Sequence, residues 1–217
     1  MSDWAKDMLL FTEALNIDKI DLLGFSIGGP PMLEAALAAP HTVRKLVIAG
    51  SHASAPTSKP PRGIVWPREP IGEGALIKLA AATDVEGSRK ALRETCFSTS
   101  EQGKAAFDRY WTRLEQRIIE PLHLNLQHMY SGGDRQVAAG NLVNTPASGG
   151  LFDRLGQLRM PVLLLHGRDD TVVPASRGWE LLQLIEDAQL KVYPQSAHSF
   201  LFEHPLRVAE DINEFLG

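Results

Sequence analysis

The chain of 217 residues has one cysteine, Cys96. No disulfide can form within the chain, which makes a reducing compartment the simpler setting and a buried, small apolar role the simpler reading of that thiol. An excess of positive charge is also lacking: 22 Lys and Arg face 26 Asp and Glu, for a net charge of −4. Such a balance gives no reason to expect a nucleic acid or an anionic membrane as partner. No apolar run approaches the roughly 20 residues that a bilayer crossing requires. The first ten residues, MSDWAKDMLL, lack the basic, apolar and small-residue segments of a signal peptide. A soluble, cytoplasmic protein is therefore expected. His41, His52, His123, His128, His166 and His204 show none of the paired spacings that hold a metal, so no metal is expected. Internal repeats and low-complexity tracts are missing too.

What is present is a strand and helix alternation broken by one long helical stretch. Residues 1–15 read as an amphipathic helix with Trp4, Met8, Phe11 and Leu15 on one face. A strand over about 19–23 precedes Gly24-Phe25-Ser26-Ile27-Gly28, and a helix follows from about Gly28 to Ala39. Pro30 and Pro31 fit its first turn, where the N–H groups have no intrahelical partner, and Pro40 ends it. Residues 43–50 form an apolar strand of the kind buried on both faces of a parallel sheet. Prolines 56, 60, 61, 67 and 70 then mark a linker.

From about Ile71 to Leu158 only helices are legible, with Thr83 or Asp84 capping one that runs to Cys96 and Ser100-Glu101 opening another towards Ile119. Strands return at 161–165 and 190–193, with helices over about 175–185 and 206–215. These patterns divide the chain into an N-terminal part of an α/β core (1–55), a linker and helical cap (56–158), and a C-terminal part of the core (159–217). The expected fold is α/β: a mostly parallel sheet of about four strands, helices on both faces, and the helical insertion as a lid.

Chemistry is concentrated at three strand ends. A serine hydroxyl needs a base to accept its proton, and that base needs a carboxylate to fix its tautomer and stabilise its charge. Ser26 sits in the sharp turn between strand and helix. His166-Gly167-Arg168-Asp169-Asp170 and Ser196-Ala197-His198-Ser199 each follow a later strand. All three segments fall at the C-terminal edge of one parallel sheet, where open α/β sheets place their sites. Either Asp169 or Asp170 can face the histidine, and either can serve as an acid near the start of the following helix.

With Gly24-Phe25-Ser26-Ile27-Gly28-Gly29, Val43–Val47, the Gly167 to Pro174 segment, and His198 followed by Glu203 and Pro205, the chain resembles the α/β-hydrolase superfamily along nearly its whole length. The likeness is to cap-bearing esterases, lactonases and haloperoxidase-like members. It implies Ser26 as nucleophile, His198 as base, Asp170 rather than Asp169 as the acid, and the Ile27 N–H as one oxyanion donor. The implied activity is hydrolysis of an ester, lactone or similar small acyl substrate, with no cofactor. An inactive binding protein, or a non-hydrolytic member such as a carbon–carbon lyase or cofactor-free haloperoxidase, is the alternative. Phe25, Trp66, Trp111 and Met129 are candidate substrate contacts, with Phe107, Tyr110 and Tyr130 also in the helical stretch. The resemblance also implies strands ahead of the Ser26 strand and a second oxyanion donor, neither of which has a counterpart. A truncated gene model is therefore expected, with a chain that takes its missing edge from another protein as the alternative. Oligomeric state is left open by the sequence.

Overall fold

The computed structural model describes residues 3–53, 75, 78–79, 81–82, 84–118 and 150–217. Helix α1 (Asp3–Ala14) leads into strand β1 (Ile20–Phe25), a 3-10 turn at Ser26–Gly28, helix α2 (Gly29–Ala38) and strand β2 (Val43–Ala49). Helices α3 (Val85–Cys96), α4 (Glu101–Ile118) and α5 (Leu151–Arg154) come next. The chain then returns to strand β3 (Val162–Gly167), helix α6 (Ser176–Leu184), strand β4 (Ala188–Tyr193) and helices α7 (Phe200–Glu203) and α8 (Pro205–Leu216).

The four strands form one parallel sheet in the order β1-β2-β3-β4. The expected α/β class and parallel sheet are thus what the chain adopts, with strand and helix ends within about two residues of those read from the sequence. Local chemistry fixes several of those ends. The Asp84 carboxylate accepts the Gly87 N–H at 2.7 Å and caps α3, while Pro30 and Pro31 occupy the first turn of α2.

Alternate residues along each strand supply the two faces of the sheet. On one face Leu22, Leu46, Ile48, Val162 and Leu164 pack with Leu33 and Ala36 of α2, Leu181 of α6 and Ala5 of α1. On the other, Val47, Ala49, Leu163, Leu165 and Tyr193 pack with Phe200 of α7 and with Val208, Ile212 and Phe215 of α8. Each fully buried aliphatic side chain contributes roughly 1.5–3 kcal/mol of apolar burial. Helices α2 and α6 share a face, as crossovers of one hand moving one way across a sheet require. The C-terminus is tied back to β2, where Arg44 and Lys45 donate to the Leu216 and Phe215 carbonyls at 3.1 and 2.5 Å.

Of the apolar face read into α1, Met8 docks while Trp4, Phe11 and Leu15 turn outward. Ala5 and Thr12 are buried and Met8 and Leu9 pack on the core, whereas Trp4, Phe11 and Leu15 are 44%, 65% and 52% exposed. Alanine and a threonine whose hydroxyl is satisfied by the Met8 carbonyl at 3.0 Å let α1 approach α2 closely, so the bulky residues turn outward. Strand β1 is an edge of the sheet formed by the described residues, and Leu23 on it is 48% exposed. No helix of the described residues is long and apolar enough to cross a membrane.

Candidate active site

Ser26 stands at the C-terminal end of β1 with φ of 53°, a left-handed backbone conformation that a residue with a Cβ rarely adopts. Close packing over-determines it. A Cβ on Gly24 would lie 2.6 Å from the Gly28 carbonyl oxygen and 2.8 Å from the Gly29 Cα, and one on Gly29 would lie 2.6 Å from the Ser51 Cβ. Gly28, the last glycine of the motif, is different, because a Cβ there would meet nothing within 4 Å. The crowding that the motif suggests therefore falls on Gly24 and Gly29. Ser51, which follows β2, donates its hydroxyl to the Ser26 carbonyl at 2.6 Å and pins the turn from the neighbouring strand. Ile27 lies in the first turn of the 3-10 segment, where backbone N–H groups lack intrahelical acceptors.

The loops after β3 and β4 meet this turn. His198 Nε2 lies 2.9 Å from Ser26 Oγ, and its Nδ1 lies 2.8 Å from Asp170 Oδ2. Both His198 and Asp170 are buried. The second carboxylate oxygen of Asp170 accepts the Val172 and Val173 N–H groups at 2.8 and 2.9 Å, so one oxygen faces the histidine and the other holds the loop. Asp169 turns out to solvent beside Arg168. The Phe25 ring packs against the His198 imidazole with centroids 4.9 Å apart. Gly50, with φ of 51°, leaves room for both: a Cβ there would sit 3.3 Å from Phe25 and 3.4 Å from His198 Nδ1.

Other titratable groups surround the site in fixed states. Burial pushes His166 down to about 4, only partly opposed by the nearby Asp170 charge. The imidazole is therefore neutral at pH 7, and its Nε2 donates to the Val173 carbonyl at 3.2 Å, bracing the loop that carries Asp170. Burial likewise lowers His52, whose ring contacts the Ala53 carbonyl at 2.8 Å. The Cys96 thiol is raised by burial, although its contact with the Thr95 hydroxyl acts the other way. Among the described residues no three His, Cys, Asp or Glu side chains are grouped so as to hold a metal ion.

Of the candidate substrate contacts, Phe25 lies at the site, while Trp66, Met129 and Tyr130 fall outside the described residues. Trp111 is buried in a cluster with Cys96, Phe97, Phe107, Val172 and Val173, stacked on Phe107 at 6.0 Å, and its indole N–H donates to Glu115 at 2.7 Å. Phe107 and Tyr110 pack on Phe97 in the same layer. Ser51, to which sequence reasoning gave no role, and His166, read only as a structural or surface histidine, are site neighbours. Their signal was position alone, since each stands at the C-terminal end of a strand that flanks the site.

Chemically, the arrangement is a hydroxyl in hydrogen-bond contact with an imidazole whose far nitrogen is held by a buried carboxylate. The chain is 26% identical over 220 residues to 2-hydroxy-6-oxo-2,4-heptadienoate hydrolase of Pseudomonas putida, a match that takes in 100% of this chain and 70% of that one. It is 29% identical over 192 residues to 2-hydroxy-6-oxo-6-phenylhexa-2,4-dienoate hydrolase of Burkholderia cepacia, over 88% of this chain and 60% of that one. Among solved structures, a meta-cleavage product hydrolase from Pseudomonas fluorescens superposes with a TM-score of 0.71 at 22% identity, covering 99% of this chain and 70% of that one. The chain thus spans between 60% and 70% of the length of these relatives. The sequence model of the alpha/beta hydrolase fold matches residues 1–205, and the chain belongs to that family.

Proposed function

We propose that this chain is a serine hydrolase that cleaves a bond to a carbonyl carbon, with Ser26 as nucleophile, His198 as general base and acid, and Asp170 as the carboxylate that orients His198. The observation that carries this reading is His198 bridging Ser26 Oγ at 2.9 Å and Asp170 Oδ2 at 2.8 Å. The Ser26 oxygen bonds to the carbonyl carbon as its proton passes to His198 Nε2. The Ile27 N–H faces the developing oxyanion. The imidazolium then protonates the leaving group as its bond breaks. Water, deprotonated by the neutral histidine, releases the acyl group and returns the proton to Ser26. The Phe25 face beside His198 favours the transient positive charge.

The names of the curated relatives favour a 2-hydroxy-6-oxo-dienoate as the substrate class. In such a compound the 6-oxo carbon is the electrophile, and hydrolysis there breaks a carbon–carbon bond. A small carboxylic ester suits the same three groups, and either compound is a small molecule that needs no cofactor.

Active-site labelling with a fluorophosphonate, followed by turnover of 2-hydroxy-6-oxo-hepta-2,4-dienoate and of p-nitrophenyl acetate, tests the reading. The expected result is a covalent adduct on Ser26 that is absent from Ser26→Ala and His198→Ala, with turnover in those variants lower by roughly 10⁴–10⁶-fold. A higher kcat/KM on the dienoate supports carbon–carbon hydrolysis, and a preference for the acetate assigns the chain to esters. A folded chain that never labels is a binding protein and sinks the catalytic reading.

A further inference from the structure

Glu203 ends α7, five residues after His198, and its side chain is buried to 1% exposure. A carboxylate so deeply placed needs donors on both oxygens, and it has them. Oε1 accepts the Ala197 N–H and the Ser98 N–H, each at 3.0 Å, and Oε2 accepts the Ser98 hydroxyl at 2.5 Å. Ala197 is the residue just before His198, and Ser98 lies in the turn between α3 and α4. On the other side of the histidine, the Ser199 N–H donates to the Cys96 carbonyl at the end of α3, at 2.7 Å. Both residues that flank His198 are therefore anchored through their N–H groups, Ala197 by Glu203 and Ser199 by the helical layer.

Helix α4 is shaped to admit the carboxylate. Gly103 faces it, and a Cβ at that position would lie 2.9 Å from Glu203 Oε2 and 2.5 Å from the Ser98 carbonyl oxygen. Gln102 on the same helix donates to the Glu203 main-chain carbonyl at 2.6 Å. Resting on the reading of Ser26 and His198 as nucleophile and base, we propose that Glu203 is a positioning residue: its carboxylate fastens the His198 loop to the α3–α4 turn and so holds Nε2 on the Ser26 hydroxyl. A misplacement of the order of 1 Å between reacting groups costs up to about 100-fold in rate.

The experiment compares fluorophosphonate labelling rate per folded molecule, with kcat and KM on whichever carbonyl compound is turned over, in wild type, Glu203→Ala, Glu203→Gln and Gly103→Ala. Circular dichroism and thermal melts measure the folded fraction. Glu203→Ala is expected to lower labelling and kcat by about 10- to 100-fold with little change in KM. Glu203→Gln restores most of that loss, because its amide oxygen replaces Oε1 for both N–H groups. Its NH2 then donates to Ser98 Oγ, whose proton turns to Ser100 Oγ at 2.7 Å. Gly103→Ala, whose Cβ presses from α4 on the Ser98 hydroxyl and carbonyl and then on the carboxylate, falls between them. A merely structural tie lowers the melting temperature and leaves the labelling rate of folded molecules alone, and that result in Glu203→Ala overturns the proposal. If Glu203→Ala does not fold, a folded Gly103→Ala that labels at the wild-type rate overturns it instead. A wild-type chain that fails to label removes the nucleophile reading itself, whereas a wild type and a Glu203→Ala that label alike remove only the role of Glu203.

Discussion

Ser26 holds a left-handed φ of 53° in a turn whose close packing depends on Gly24 and Gly29, and the cost of that conformation is on the order of 1–3 kcal/mol. Adding one methyl group at a time separates the glycines. Gly24→Ala and Gly29→Ala are expected to destabilise the fold by about 1–3 kcal/mol or more in urea unfolding, because neighbouring backbone or Ser51 must move. Gly28→Ala is expected to be neutral or stabilising by up to about 1 kcal/mol, since its φ of −74° suits alanine and the space beside it is open. A second test concerns the two oxygens of Asp170. Asp170→Asn keeps an acceptor for Val172 and Val173 and should fold, yet it presents the wrong tautomeric partner to His198 and should lower kcat by about 10³–10⁴-fold. At this scale Ser26, His198 and the Asp169-Asp170 pair were legible because each follows a strand in one parallel sheet, whereas the choice of Asp170 over Asp169 came from the family resemblance alone. The emptiness beside Gly28 and the Ser51 hydroxyl on the Ser26 carbonyl were not, since both depend on what a neighbouring strand brings near.

Helices and strands were legible where the chain punctuates them. Pro40 closes α2, Asp84 caps α3 and the prolines at 30 and 31 open α2, so those limits came out close. Periodicity told that α1 is a helix without telling which side docks. Hydrophobic spacing records bulk, whereas close approach to α2 selects Ala5 and Thr12. The consequence is measurable. Phe11→Glu, at a position 65% exposed, should change stability by no more than about 0.5 kcal/mol. Ala5→Leu, at a fully buried position, should cost roughly 1–3 kcal/mol through overpacking. Equal effects in chemical unfolding would show that α1 docks by another face.

For the molecule as a whole, buried neutral histidines set a pH dependence. In the unfolded chain His166 titrates near 6.5, and in the folded protein burial brings it down to about 4. The unfolded state therefore takes up its proton first as pH falls. Stability from this group is fully present above pH 6.5 and is lost between 6.5 and 4, by on the order of 3 kcal/mol. His52 is shifted in the same direction by its burial. The melting temperature should fall as pH is lowered from 7 to 5, and His166→Gln, which keeps a donor for the Val173 carbonyl, should flatten that slope. An unchanged slope in the variant would place the pH sensitivity elsewhere.

Ser26 and His198 are 172 residues apart in the chain and 2.9 Å apart in space. At about 5–20 residues per second, His198 is synthesised roughly ten to thirty seconds after Ser26. The strand that delivers the histidine loop, β4, is also the last to join the sheet in sequence order. On the proposed roles of Ser26 and His198, a nascent chain that has folded β1 and β2 would carry an inert alcohol, and reactivity would arrive only once β4 and the loop after it had docked, so the order of synthesis would itself guard the serine against premature acylation.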